Sequence, residues 1–246
     1  MHALFLAAGT GTRLSPYTDK VPKCMVEVAG RPMLTWALDA LDAAGMDRAV
    51  VVLGYREEVV RRAYGDRYKG VRLSYLTNPD YATTNNLYTV HLAGEHLRDD
   101  VILLEADLVY DPGVVRELIE HPAQNVALVD RFTEHLNGTC VTEDRREPGR
   151  VHRMILGKDQ GEDFDRDSAL KTVNLYKLSG EMLRTHYLPA VEQWVTGSRT
   201  DQYYEAVLAE LVNEGIVPLH LLRTAGYRWF EVDTPEDLDR AAALFD

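Results

Sequence analysis

A short apolar run that breaks abruptly into glycine constrains this chain more than any other feature. Residues His2 to Ala7 read as a buried strand, and Ala8-Gly9-Thr10-Gly11-Thr12-Arg13-Leu14 follow at once. A loop at the carboxyl end of a buried strand is where an α/β sheet presents a ligand. Gly9 and Gly11 lack Cβ atoms, so backbone N–H groups can converge on phosphate oxygens. Arg13 supplies a planar fork for a phosphate pair, and Lys23 a compact charge able to follow a single phosphoryl group. Two familiar alternatives fail on spacing. A dinucleotide fingerprint needs a small residue where Leu14 stands, and a Walker loop needs Gly-Lys-Ser/Thr, which is absent. The run therefore reads as a nucleoside-triphosphate loop.

Composition limits the partners. The chain has 246 residues, 46% of them hydrophobic, enough for one sizeable layered α/β domain over 1–246. Its 27 basic and 39 acidic residues give a net charge of −12, which argues against nucleic acid or an anionic membrane as the partner. Cations for an anionic substrate must be gathered locally, with a divalent metal as an aid. Cys24 and Cys140 have neither zinc spacing nor a disulfide framework, and Cys24 reads as a packing residue. There is no signal-peptide pattern and no stretch long enough to span a membrane, so a cytoplasmic location is expected. Oligomeric state stays open.

Apolar runs at 2–7, 48–53, 71–76, 101–105, 125–130, 151–156, 172–178 and 217–222 predict strands. Helical patterns at 32–44, 56–64, 86–97, 112–120, 180–195, 201–214 and 234–244 alternate with them. The result is a single-domain, Rossmann-like α/β fold with a mixed, mainly parallel sheet flanked by helices. Residues 132–170 are polar, charge-rich and short of apolar runs, which predicts a small flap or β insertion on the acceptor side.

Asp107 and Asp233 each follow a predicted strand and should project into the crevice beside the glycine loop. Two carboxylates at strand ends suit Mg²⁺, although either acid alone could cap a helix. Glu105 is expected to face away from the crevice or to stand behind the ligands, and Glu231 to be structural. Asn174 and Tyr176 are expected to share one strand face.

The run LAAGTGTRLSPYTDKVPK resembles the N-terminal motif of the nucleotidyltransferase, or sugar-phosphate pyrophosphorylase-like, superfamily. Further likenesses lie at Asn85-Asn86-Leu87-Tyr88, Glu105-Ala106-Asp107, Lys171 to Tyr176 and Trp229 to Leu238. The Asn-Asn-x-Tyr element is most similar to that of the phosphocholine and phosphonate cytidylyltransferases, with a phosphonoformate cytidylyltransferase as one specific candidate. The resemblance implies a CTP-dependent transfer of CMP to a phosphonate or phosphate-ester oxygen, with release of pyrophosphate by direct in-line attack. It implies Lys23 and Arg13 as catalytic and Asp107 and Asp233 as Mg²⁺ ligands. Leu6, Ala7, Ala8, Gly9, Thr10, Gly11, Thr12, Asn78 and Asn85 are the nucleotide-binding candidates. Asn86, Tyr88, Arg131, Lys171, Asn174 and Tyr203 are the acceptor-binding candidates. The flap cations Arg131, Arg145, Arg146, Arg150, Arg153 and Lys158 favour an anionic acceptor, while only Phe132 and Phe164 there offer an aromatic face to a quaternary ammonium. A sugar-1-phosphate nucleotidyltransferase and a non-catalytic nucleotide-binding subunit are the rival readings.

Overall fold

The computed structural model of the chain describes residues 1–133 and 136–246, so two residues of the flap segment lie outside it. Along the chain, β1 (His2–Ala7) leads through β2 (Glu27–Val28) and β3 (Arg31–Pro32) to α1 (Met33–Ala43) and β4 (Arg48–Leu53). Next come α2 (Glu57–Tyr64), β5 (Arg67–Tyr68), β6 (Val71–Thr77) and α3 (Asn86–Leu92). They are followed by β7 (Val101–Glu105), β8 (Leu108–Tyr110), α4 (Gly113–Glu120) and β9 (Val126–Arg131). A hairpin of β10 (Cys140–Glu143) and β11 (Val151–Ile155) precedes the long β12 (Leu170–Leu178). Then α5 (Gly180–Met182) runs through a π turn at Leu183–Tyr187 into α6 (Leu188–Thr196). The chain closes with α7 (Tyr204–Asn213), β13 (His220–Arg223), β14 (Trp229–Glu231) and α8 (Pro235–Phe245).

The main sheet runs β11-β10-β12-β7-β1-β4-β6-β5, with β9 and β13 continuing beside β12. Strands β7, β1, β4 and β6 are parallel, and β12 joins β7 in antiparallel sense. The mixed, mainly parallel sheet of the sequence reading is therefore present. From β1 the chain winds one way through β4 and β6, then crosses back to lay β7 on the other side of β1. Such a reversal opens a crevice at the carboxyl ends of the two central strands, β1 and β7.

All six residues of β1 are buried, as a strand covered on both faces requires. Period-two alternation divides them between two cores. Ala3, Phe5 and Ala7 pack with Leu34, Leu38 and Leu41 of α1 and Leu118 of α4. Leu4 and Leu6 pack with Val90 of α3, Val191 of α6 and Val207 of α7. The layers are helix, sheet, helix.

Three boundaries differ from the sequence reading by three residues or more. The last sheet strand begins at His220 rather than 217, because Pro218 has no N–H to give a ladder. Helix α3 stops at Leu92, and Gly94–Leu97 is a separate 3₁₀ turn. Helix α7 starts at Tyr204, whose amide is capped by Asn86 Oδ1 at 2.9 Å.

Candidate functional site

The glycine loop is built by local restraints. Gly11 adopts a left-handed conformation, φ 66°, that turns the chain into a 3₁₀ turn at Thr12–Leu14. The Gly11 carbonyl accepts from Leu14 N and from the Thr18 hydroxyl. Leu14 is fully buried with Val232 and Leu238, so Arg13 is fixed at its base while its side chain stays 67% exposed. Lys23 sits at the start of a 3₁₀ turn, Lys23–Met25, immediately after Pro22.

Asp107 follows β7, and Asp233 is brought to it by a small antiparallel ribbon. Glu231 of β14 pairs with Leu108 of β8, and Val232 N donates to Asp107 O at 3.0 Å. Thr234, not Asp233, caps α8, through a reciprocal capping box with Asp237. The carboxylate of Asp233 is thereby left for the crevice. Lys23 Nζ donates to Asp107 Oδ2 and to Asp233 Oδ1, both at 2.6 Å, and Arg13 reaches the same Asp233 oxygen at 2.8 Å. Burial raises the Asp233 pKa, but Lys23 and Arg13 more than offset it and hold the group below its usual range. Burial disfavours the Lys23 charge, yet the two aspartates outweigh it and raise its pKa.

These groups open into one crevice of about 1090 Å³ that takes in Leu6 to Arg13, Lys23, Asn78, Asn85, Asn86, Asp107, Lys171, Asn174, Tyr203 and Asp233. Some of those side chains are already engaged. Asn78 is buried, donates to Thr84 and Thr89, and accepts from Asp80 N, so it shapes the 78–89 loop. Asn85 caps α3 by accepting from Asn86 N. Two of the sequence candidates face elsewhere. Tyr88 points its hydroxyl at Asp80 and stacks on His91, because position 88 lies on the far side of α3. Arg131 ends β9 in a second hollow with Phe132 and Arg223. Of the flap cations credited to an anionic acceptor, Lys158 alone lines the crevice, together with Arg166 from the same segment.

The period-two reading of β12 needs correction. Asn174 is left-handed at φ 60°, and the register with β9 shifts between Thr172 and Tyr176. Across this bulge β12 exchanges its neighbour, pairing with β10 at Leu170–Lys171 and with β7 from Leu175 onward. Lys171 and Asn174 consequently both reach the crevice, while Tyr176 is buried with its hydroxyl on Glu205 at 3.2 Å.

Glu105 does not face away from the crevice, which leaves its alternative place behind the ligands. Glu105 and Glu231, the last residues of β7 and β14, line the crevice together with Asp107 and Asp233 just beyond them. Glu205, 5% exposed at the start of α7 and the last residue of the Asp201–Glu205 run, lines the crevice as well. Burial first, then neighbouring carboxylates, raises the Glu105 pKa well above the ordinary range. Burial likewise raises Glu231 and Glu205, with Lys171 opposing. Lys171 is 1% exposed; its Nζ donates to Thr172 O at 2.6 Å and lies 3.4 Å from Glu231. The floor is thus acidic, with the buried Lys171 among its carboxylates.

Donors for a divalent ion are present. One oxygen each of Glu105, Asp107 and Glu231 lie within 4.8 Å of one another, and Asp107 Oδ1 is buried without a hydrogen-bond partner. An all-carboxylate set fits Mg²⁺ rather than a soft metal. Both cysteines are buried, and burial pushes the Cys24 thiol up to about 12, in keeping with packing.

Comparison with known proteins adds to this geometry. Residues 3–213 match the MobA-like NTP transferase domain. A CMP-5'-(3-aminopropyl)phosphonate synthase from Streptomyces rubellomurinus is 36% identical over 245 residues, all of this chain and 39% of that protein's length. A 2-aminoethylphosphonate cytidylyltransferase from Lancefieldella rimae is 37% identical over 158 residues, 63% of this chain and 61% of its own. The chain therefore spans well under half of the Streptomyces relative. In structure, a CTP:phosphocholine cytidylyltransferase from Streptococcus pneumoniae superposes with a TM-score of 0.81 at 21% identity, covering 100% of this chain and 99% of that one. Among the described residues, no helix is long and apolar enough to cross a membrane.

Proposed function

The chain belongs to the MobA-like NTP transferase domain family, and from that premise we propose that it is a cytidylyltransferase. It transfers CMP from CTP to an oxygen of a small phosphonate, or of a phosphorylated small alcohol, and releases pyrophosphate. The observation that carries this reading is the meeting of the glycine loop, Arg13, Lys23, Asp107 and Asp233 at one crevice. The two phosphonate-handling relatives support the choice of base and acceptor.

A phosphonate oxygen is already ionised near neutral pH, so its attack on the α-phosphorus needs no general base. Alignment and charge neutralisation carry the acceleration. Lys23 turns from its carboxylates to the phosphoryl group, where negative charge accumulates. Arg13, anchored through Leu14 but exposed at its head, and the Gly9–Thr12 amides hold the leaving phosphates. Asp107 and Asp233 would hold Mg²⁺, which would supply further neutralisation of the triphosphate. Asn137, Lys158 and Arg166 of the flap segment line the crevice, which supports an acceptor-side role for it.

The acidic floor favours a second reading of the acceptor. Glu105, Glu205 and the half-exposed Tyr203 all line the crevice, a set of groups suited to an ammonium. An ω-aminoalkyl phosphonate would place its ammonium there and its phosphonate towards Lys23. An anionic acceptor such as phosphonoformate would instead rely on Lys158, Arg166 and Lys171.

The test is pyrophosphate release with Mg²⁺, each nucleoside triphosphate being offered with phosphonoformate, 2-aminoethylphosphonate, 3-aminopropylphosphonate, phosphocholine and sugar 1-phosphates. Release with CTP and one phosphonate is expected. Release only with a sugar phosphate would keep the chemistry and overturn the acceptor, and no release with any pair would leave a nucleotide-binding role.

A further inference from the structure

We propose that Lys23 is a resident counter-ion occupying the divalent ion's seat between Asp107 and Asp233, so that ion and nucleotide load together and the ion does not load first. The inference rests on the reading above of which carboxylates hold the ion. Lys23 Nζ stands 2.6 Å from one oxygen of each aspartate, and all three side chains are less than 20% exposed. Both contacts are at the short end for charge-assisted hydrogen bonds. A divalent ion held by Asp107 and Asp233 would need the carboxylate oxygens that the ammonium already occupies. A dication there and an ammonium 2.6 Å from the same atoms repel by many times thermal energy in a partly desolvated site. Arg13 shares the Asp233 oxygen and adds to the exclusion.

The same geometry explains how the lock opens. Lys23 Cβ and Cγ lie against the Gly11 turn, so its ammonium can reach the glycine loop without a change of backbone. A triphosphate seated on that loop draws off Lys23 and Arg13 together and frees Asp107 Oδ2 and Asp233 Oδ1 as it brings its own oxygens to the ion. Lys23 is then a positioning group before it is a catalytic one.

The experiment measures two bindings in the same samples. Mn²⁺ is titrated without nucleotide, following the free-ion electron paramagnetic resonance signal, and CTP is titrated in EDTA by calorimetry. Wild type is compared with Lys23→Met and Lys23→Gln, each checked for folding by circular dichroism. We expect opposite signs: nucleotide-free Mn²⁺ affinity at least about tenfold higher in the variants, and metal-free CTP affinity lower. Wild type binding Mn²⁺ alone as tightly as the variants would overturn the proposal, and would move the ion to Asp107 Oδ1 with Glu105 and Glu231. Where both variants fail to fold, wild type decides: Mn²⁺ uptake by the protein only with CTP, beyond what CTP alone chelates in a protein-free control, supports the exclusion, and tight uptake without CTP ends it. Failure of the cytidylyltransferase reading would show separately, as absent CTP binding or absent pyrophosphate release, with the Mn²⁺ comparison unaffected.

Discussion

Asn174 donates from Nδ2 to Glu105 Oε2 at 3.3 Å, across 69 positions of sequence, from a backbone held in the left-handed region. Its own Oδ1 accepts from Thr172 Oγ1 at 3.0 Å. The bulge that turns Asn174 inward also lets Lys171 reach the crevice, so one irregular residue arranges two others. Asparagine is among the few residues with a side chain that tolerate this conformation.

That arrangement predicts an inverted order of substitutions. In a regular strand alanine is better tolerated than glycine. Here Asn174→Ala must carry left-handed strain and lose the Glu105 contact, a loss of about 1–3 kcal/mol. Asn174→Gly loses the contact but not the strain tolerance and should be the more stable variant. Urea melts decide this, and an alanine variant as stable as glycine would remove the bulge from the explanation.

Lys23→Ala should depress turnover by roughly 10²–10³-fold, the cost of losing one preorganised donor at developing charge. The far-ultraviolet spectrum should be retained, because Lys23 packs in a 3₁₀ turn outside the two main cores. Single-turnover pyrophosphate release under saturating CTP is the measurement. Near-normal release would end the assignment of Lys23 to the chemistry.

Much of this frame was legible because continuous apolar runs such as Val101 to Leu104 are what a doubly covered parallel strand requires. The glycine loop was legible because it joins conformational freedom to two cations at fixed spacing. The floor of the crevice was not. Glu105, Glu205 and Glu231 come from three distant segments, and neither a glutamate ending a strand nor one opening a helix carries a sign that it is buried. Period two failed at β12 because a bulge is a tertiary event, forced by the exchange of neighbours from β10 to β7. Tyr88 turns its hydroxyl to Asp80 because a motif gives spacing along a helix, whereas the face a residue takes is set by what α3 packs against.

The acidic floor predicts a pH signature. Glu105 has a folded pKa raised well above its unfolded value, chiefly by burial and then by Asp107, Glu205 and Glu231. A group raised in this way contributes its stability below the unfolded value, near 4.5, and loses it as pH rises towards the folded one. Glu105→Gln keeps an acceptor for Asn86 or Asn174 and never ionises. Its melting temperature relative to wild type should therefore climb from pH 5 to pH 8. A constant or falling difference would show that Glu105 is adequately neutralised in the native state.

Neither thiol should react in the folded protein at neutral pH. Cys24 and Cys140 are both buried, and burial pushes their pKa values up to about 12 and about 11. Thiolate is the reactive form, so iodoacetamide should label both only after denaturation. Mass spectrometry of native and urea-treated samples tests this. Native labelling of Cys24, next to Lys23, would mean that the 3₁₀ turn opens on the labelling timescale.

The two loop glycines should fail in different ways. A Cβ at Gly11 would meet Lys23 Cβ at 2.9 Å and Thr18 Cγ2 at 3.1 Å, at a φ of +66°. Gly11→Ala should therefore lose about 1–2 kcal/mol to left-handed strain and displace Lys23, lowering melting temperature and turnover together. At Gly9 a Cβ meets nothing within 4 Å, so Gly9→Ala should keep its stability within about 0.5 kcal/mol, as open sites do. Its Cβ would instead occupy space on the crevice side, where a triphosphate has to approach the backbone. A raised KM for CTP with an unchanged melting temperature is the outcome expected for Gly9→Ala. If both alanines leave CTP binding intact, the loop does not hold the phosphates.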